Sequence, residues 1–80
     1  MDLVGLTEYL VKNLVKDPDE VSVSVEETEK EKIITVTVPE EDMAVVIGRG
    51  GKIANSIRNV VQASAYINNL GRVRVNIEAK

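Results

Sequence analysis

Alternation of apolar and polar residues marks three short segments of this 80-residue chain. Every second residue is apolar in segments 21–25, 33–38 and 72–78, as expected for strands with one buried face. The segment that joins the first two strands, residues 26–32, is short and rich in charged residues. A link of this length predicts an antiparallel hairpin. We interpret its acids as a solvated turn rather than as a metal site.

Helical spacing of apolar residues fills the rest of the chain. Apolar residues recur at every third or fourth position in segments 3–15 and 53–66, which is typical of amphipathic helices. A proline and three acids precede a further short helix at 43–47. The order helix, strand, strand, helix, helix, strand makes the last two strands parallel neighbours. We therefore predict an α+β fold in one domain over residues 1–80, with the helices on one face of a three-stranded mixed sheet.

The composition excludes several classes of function. The chain contains no histidine and no cysteine, so the commonest general base, thiolate ligands and disulfides are absent. We expect no enzyme, no cofactor and no metal site. The N-terminus lacks the features of a signal peptide, and no segment approaches 18 consecutive apolar residues. We expect a cytoplasmic protein.

The net charge of −3 conceals a strong asymmetry along the chain. Residues 1–42 carry four lysines and twelve acids, whereas residues 43–80 carry six cations and one acid. The basic half suits a nucleic-acid partner, because phosphate contacts dominate such interfaces. The alternative is a chance asymmetry in an acidic protein.

Three glycines, an arginine and a lysine lie together between the two central helices, at positions 48–52. A phosphate-binding P-loop would need glycine at Val46 and a hydroxyl residue at Ile53. A dinucleotide fingerprint would also need glycine at Ile53. What remains is the pattern G-x-x-G, from Gly48 to Gly51. A helix that begins after such a loop points unpaired N–H groups at it, which favours a bound phosphate.

The segment 47–53, with the apolar helix behind it, resembles the KH family. The whole chain is similar to the small bacterial single-KH proteins of the KhpA (YlqC) family. This resemblance implies a type II KH-like domain that binds single-stranded RNA, with the loop clamping the nucleic-acid backbone. It also implies a homodimer, a KhpB (Jag)-type RNA-binding partner, and a role in RNA regulation and cell shape. The predicted RNA-binding residues are Ile47, Gly48, Arg49, Gly50, Gly51, Lys52, Ile53, Ile57 and Arg58.

Several of these assignments have a structural alternative. Ile57 could belong to the core, and Ile47 and Ile53 could pack the two helices together. Arg58 could face the ligand or only water. A second hypothesis is an assembly module that uses the same fold without binding RNA, and the two cations of the loop argue against it. The sequence does not distinguish RNA from single-stranded DNA.

Overall fold

The structure, a computed structural model, describes residues 2–80. It contains the predicted elements in the predicted order. The helices are α1 (Leu3–Lys12), α2 (Met43–Ile47) and α3 (Lys52–Ile67), and the strands are β1 (Ser22–Glu27), β2 (Lys32–Val38) and β3 (Val73–Ala79). Single turns of 3₁₀-helix lie at Pro18–Glu20, Glu40–Asp42 and Arg49–Gly51.

The three strands form one mixed sheet in the order β1-β2-β3. β1 and β2 are antiparallel, with Ser22 opposite Thr37. β2 and β3 are parallel, with Lys32 opposite Val73. Both predicted pairings are therefore confirmed, and β2 is the central strand.

The core lies between the helices and one face of the sheet. Alternate residues of β2, namely Ile34, Val36 and Val38, are fully buried, as the period of two requires. The helices and the flanking strands complete this core. They contribute Leu3, Val11, Val21, Val46, Ile57, Val61, Ala65, Val73 and Val75.

Helix α1 ends at Lys12, whereas the apolar pattern predicted a helix over residues 3–15. A turn follows Lys12. Asp2 caps its start by accepting a hydrogen bond from the Gly5 N–H. Its buried face includes Thr7, which the apolar pattern did not predict. The Thr7 hydroxyl donates to the Leu3 carbonyl at 2.8 Å, so the buried polar group has a partner.

Strand β1 is covered less completely than its alternation predicts. Val21, just before β1, is buried and Val23 is half-buried, but 47% of Val25 is exposed.

Within residues 2–80, no helix is both long and apolar enough to cross a membrane.

Candidate nucleic-acid interface

The glycine loop, defined here as residues 48–52, begins where α2 ends. The Gly48 N–H donates to the Ala44 carbonyl at 2.9 Å and closes the helix. Gly48 has φ 77° and ψ 172°, a region that is essentially restricted to glycine. A Cβ at this position would lie only 2.6 Å from Cγ1 of Ile53. Gly48 therefore allows α2 and α3 to pack against each other at the loop.

The rest of the loop turns once and leads directly into α3. The Gly51 N–H donates to the Gly48 carbonyl at 3.1 Å, and the Lys52 N–H donates to the Arg49 carbonyl. Gly50 also has a positive φ, 65°. A Cβ built on Gly50 would meet no atom within 4 Å. The backbone at Gly50 is therefore open to close approach by another polymer.

The N-terminus of α3 faces this open backbone. α3 has 16 residues, and its N-cap, Gly51, has no side chain that could accept from the first N–H groups. The first turn of α3 contains no acid. Unpaired N–H groups and the positive end of the helix dipole favour an anion at this end.

Arg49 and Lys52 add two exposed cations to the same place. In the part of the chain that the structure describes, the ion pairs are Lys12–Glu8, Lys32–Glu27, Arg74–Glu31 and Lys80–Glu20. None of them involves the glycine loop. The charges of Arg49 and Lys52 are therefore not compensated by a nearby carboxylate.

The predicted aliphatic residues lie at different depths. Ile47 and Ile53 are half-buried, and Ile53 packs against the core. Ile57 is only 5% exposed and belongs to the core cluster. In this structure Ile57 is therefore a core residue. At the loop, Arg49, Gly50 and Lys52 are exposed, and Ile47 and Ile53 are half-buried.

Arg58 is held at the edge of the sheet. Its Nε donates to the carbonyl oxygen of Val75, and its Nη1 donates to Oδ1 of Asn55, both at 3.1 Å. Asn55 is exposed and lies beside the end of the loop, with Nδ2 4.0 Å from a Cβ built on Gly51. Asn55 was not among the residues predicted for the site. Its position four residues after Gly51, on the same side of the helix, is the signal that could have found it.

Within residues 2–80, no group of three or more histidine, cysteine, aspartate or glutamate residues could hold a metal ion.

A family model described as KhpA/KhpB, KH domain, matches residues 5–77. The RNA-binding protein KhpA of Borreliella burgdorferi is 40% identical over 74 residues, which are 92% of this chain and 89% of that protein. The RNA-binding protein KhpA of Clostridium acetobutylicum is 45% identical over 64 residues, 80% of this chain and 85% of that protein.

Solved structures of Era share the fold. Aquifex aeolicus Era matches with a TM-score of 0.72 and 13% identity, over 98% of this chain and 30% of that chain. Era in complex with nucleotides 1506–1542 of 16S ribosomal RNA matches with a TM-score of 0.70 and 15% identity. This chain spans less than a third of Era, and at such identity the likeness concerns the fold alone.

The comparisons confirm two predictions made from the sequence. The α+β fold of KH type is confirmed, and so is the prediction that the chain is not an enzyme, because the KH family is non-enzymatic. The matches span most of the chain, and it belongs to the KhpA/KhpB family of KH domains.

Proposed function

We propose that this chain binds single-stranded RNA at the glycine loop. The observation that carries the proposal is the open backbone at Gly50, with two uncompensated cations beside it. The relatives' names, RNA-binding protein KhpA, support the choice of RNA. We also propose that the chain is one KH domain and that it acts in the cytoplasm.

The binding mechanism rests on phosphate contacts. Backbone N–H groups of Arg49 and Gly50, and those of the first turn of α3 beyond Lys52, donate to phosphate oxygens, which Gly50 allows to come close. Arg49 and Lys52 add charge, and the edges of Ile47 and Ile53 contact the splayed bases. Ile57 positions these residues from the core. Arg58 contributes charge from the sheet edge.

We expect one domain to bind weakly. The only aromatic residues are Tyr9 and Tyr66, and neither lies in the glycine loop. Base stacking on aromatic side chains, which strengthens many single-strand binders, therefore has no place at the loop. The dissociation constant should be about micromolar or weaker at physiological salt.

The test is fluorescence anisotropy with a randomised single-stranded RNA at low salt. Wild type is compared with the double variant Arg49→Asp, Gly50→Asp. Aspartate tolerates a positive φ better than most residues, and nothing within 4 Å obstructs its Cβ at position 50. We expect a loss of at least tenfold in affinity, about 1.4 kcal/mol, with unchanged circular dichroism.

A matched control distinguishes an effect of the glycine loop on RNA affinity from an effect of net charge. Lys30→Asp changes the net charge as much as Arg49→Asp does, and Lys30 is likewise exposed, but it lies in the β1–β2 turn. Lys30→Asp should leave affinity within about twofold of wild type. Equal losses in Arg49→Asp and Lys30→Asp would overturn the assignment of the loop. Competition with a randomised single-stranded DNA of the same length measures the preference for RNA.

We also propose that two copies associate through the helices. Val45 on α2 and Val60 and Ile67 on α3 are exposed, and the spacing of seven puts the two α3 residues on one side of the helix. A dimer would raise the effective concentration of the second loop. Val60→Glu should reduce the mass measured by sedimentation to that of a monomer. A wild type that sediments as a monomer at all concentrations would contradict the dimer.

A KhpB (Jag)-type RNA-binding protein is the second partner that we propose, with RNA regulation and cell shape as the processes served. The family description, which joins KhpA and KhpB, supports this pairing. Calorimetric titration of the two purified proteins tests it directly. No heat of binding at tens of micromolar protein would count against the pair.

A further inference from the structure

The two edge strands of the sheet, β1 and β3, differ in the hydrogen bonding of their outer backbone groups. At the β3 edge, the carbonyl of Val75 accepts from Nε of Arg58 at 3.1 Å. The carbonyl of Val73 accepts from Nε2 of Gln62 at 3.3 Å. Side chains of α3 therefore occupy part of this edge. The β1 edge has no neighbouring strand, and the hydrogen bonds of the described residues include none from a side chain to Val23 or Val25.

Hydrogen bonding at the β1–β2 turn determines which backbone groups of β1 face outward. The Thr28 N–H donates to the Glu31 carbonyl at 2.8 Å, so these two residues form a bonded pair. Bonded and non-bonded pairs alternate along an antiparallel ladder. Every second residue of β1, counted back from Thr28 to Ser22, therefore bonds to β2. Val23 and Val25 point their N–H and C=O groups away from the sheet.

Hydrogen bonds between β2 and β3 lead independently to the same assignment of the outward backbone groups of β1. The Lys32 N–H donates to the Arg72 carbonyl, and the Lys80 N–H donates to the Val38 carbonyl, both at 2.9 Å. Even-numbered residues of β2 are therefore bonded to β3, and odd-numbered residues to β1. The partners of those odd-numbered residues are the even-numbered residues of β1. The backbone groups of the two valines are left at the open edge, which is a template for another strand.

The β1 edge also offers an apolar contact. The side chain of Val25 lies on the same face of the sheet as that of its partner Ile34, which is buried in the core, but 47% of Val25 is exposed. An added strand would place a side chain next to it. Backbone hydrogen bonds supply affinity in this mode of recognition, and side-chain contacts supply specificity.

The charge around this edge is mainly negative. Residues 17–29 contain six acids and no cation, and Lys16 and Lys30 lie at either end of this segment. Two of the six are paired, Glu20 with Lys80 at 3.1 Å and Glu27 with Lys32 at 3.5 Å. The remaining acids are exposed and form no ion pair among the described residues. They are Asp17, Asp19, Glu26 and Glu29.

We propose that the β1 edge docks an extended basic segment of a partner protein, which adds as a fourth strand. Positive side chains of that segment would be attracted by the acids at both ends of β1. A second copy of this chain fits less well, because antiparallel pairing of two β1 strands brings the acids at 17–20 near those at 26–29. An RNA backbone would be repelled. The site lies on the opposite edge of the sheet from the edge that α3 covers, so RNA at the glycine loop leaves it free.

The probe is a fluorescein-labelled seven-residue peptide of alternating lysine and valine, measured by anisotropy against the full chain. Its first control carries N-methyl groups on alternate backbone amides, which keeps the charge and removes hydrogen bonds. Its second control has glutamate in place of lysine. We expect both controls to bind at least tenfold more weakly than the probe. Equal binding of the N-methylated peptide would overturn the proposal.

Variants of Val25 test the protein side. Val25→Pro removes an outward N–H that β2 does not use, whereas Val25→Ala keeps that N–H and removes only the side chain. The probe should lose at least tenfold in affinity for Val25→Pro and about two- to threefold for Val25→Ala, and RNA binding should be unchanged in both. If Val25→Pro does not fold, binding of the two control peptides to wild type still tests the proposal. Self-association of wild type that Val25→Pro abolishes would assign the edge to a second copy and overturn the proposal.

Discussion

This molecule has two tight turns, the hairpin turn (residues 28–31) and the glycine loop. They differ in whether a side chain forms hydrogen bonds with the backbone of the turn. In the hairpin turn, the Thr28 hydroxyl accepts from the N–H groups of Lys30 at 3.3 Å and Glu31 at 3.0 Å. The same hydroxyl donates to the Glu31 carbonyl at 3.0 Å. This turn satisfies its own polar groups, so it has little need of an external partner.

The glycine loop has no side chain in that role. Gly51 caps α3 without a side-chain hydrogen bond, and Arg49 and Lys52 carry charges that no described carboxylate pairs with. Both segments connect two elements of secondary structure at the surface. The difference indicates that the hairpin turn is structural, whereas the glycine loop is open to a ligand.

We expect the largest loss of stability on substitution of Gly48, which joins α2 to the glycine loop. Gly48→Ala should lower the free energy of unfolding by about 3 kcal/mol, through backbone strain and crowding against Ile53. Gly50→Ala is the matched control, and it should cost about 1 kcal/mol because only the positive φ opposes the new methyl group. Urea denaturation measures both. Equal losses would show that Ile53 does not restrict position 48.

A smaller effect is expected on the salt dependence of RNA binding. Two or three neutralised phosphates predict a log–log slope of about −1.4 to −2 for a single strand. The double variant Arg49→Gln, Lys52→Gln should make this slope shallower by about 1.4. The control Lys16→Gln, Lys30→Gln removes two cations from the acidic half. An identical slope change in both double variants would mean that the charges act without regard to position.

The smallest effect concerns the hairpin turn. Thr28→Val keeps the shape of the side chain and removes its hydroxyl, so it should destabilise the fold by about 1 kcal/mol. Thr28→Ser retains the hydroxyl and should cost only a few tenths of a kcal/mol. Thermal unfolding measures both variants. RNA affinity should not change in either, and a tenfold loss in Thr28→Val would show that this turn also contacts the ligand.

The sequence predicted the sheet well because one face of each strand is buried. In β2 the alternation of Ile34, Val36 and Val38 reproduces the observed burial residue by residue. The position of the glycine loop was equally predictable, because three glycines interrupt the apolar helical period at one place. The conformations of Gly48, Gly50 and Gly51 were not predictable in detail, since they depend on how α2 meets α3.

The depth of residues within α3 could not be predicted from its period. Ile57, Val60 and Val61 all belong to its apolar stripe, but Ile57 and Val61 are buried while Val60 is 46% exposed. The stripe is wider than the surface that the neighbouring elements cover, and that width depends on tertiary packing. The orientation of Arg58 depends likewise on Val75, which is 17 residues away in the chain.

The most direct test of the comparison is an NMR titration of ¹⁵N-labelled protein with a single-stranded RNA. The amide signals of both turns are followed in the same spectra. We expect the largest shifts at residues 49–53 and almost none at residues 28–31. Largest shifts in the hairpin turn, or shifts of equal size in both turns, would contradict the assignment of RNA binding to the glycine loop.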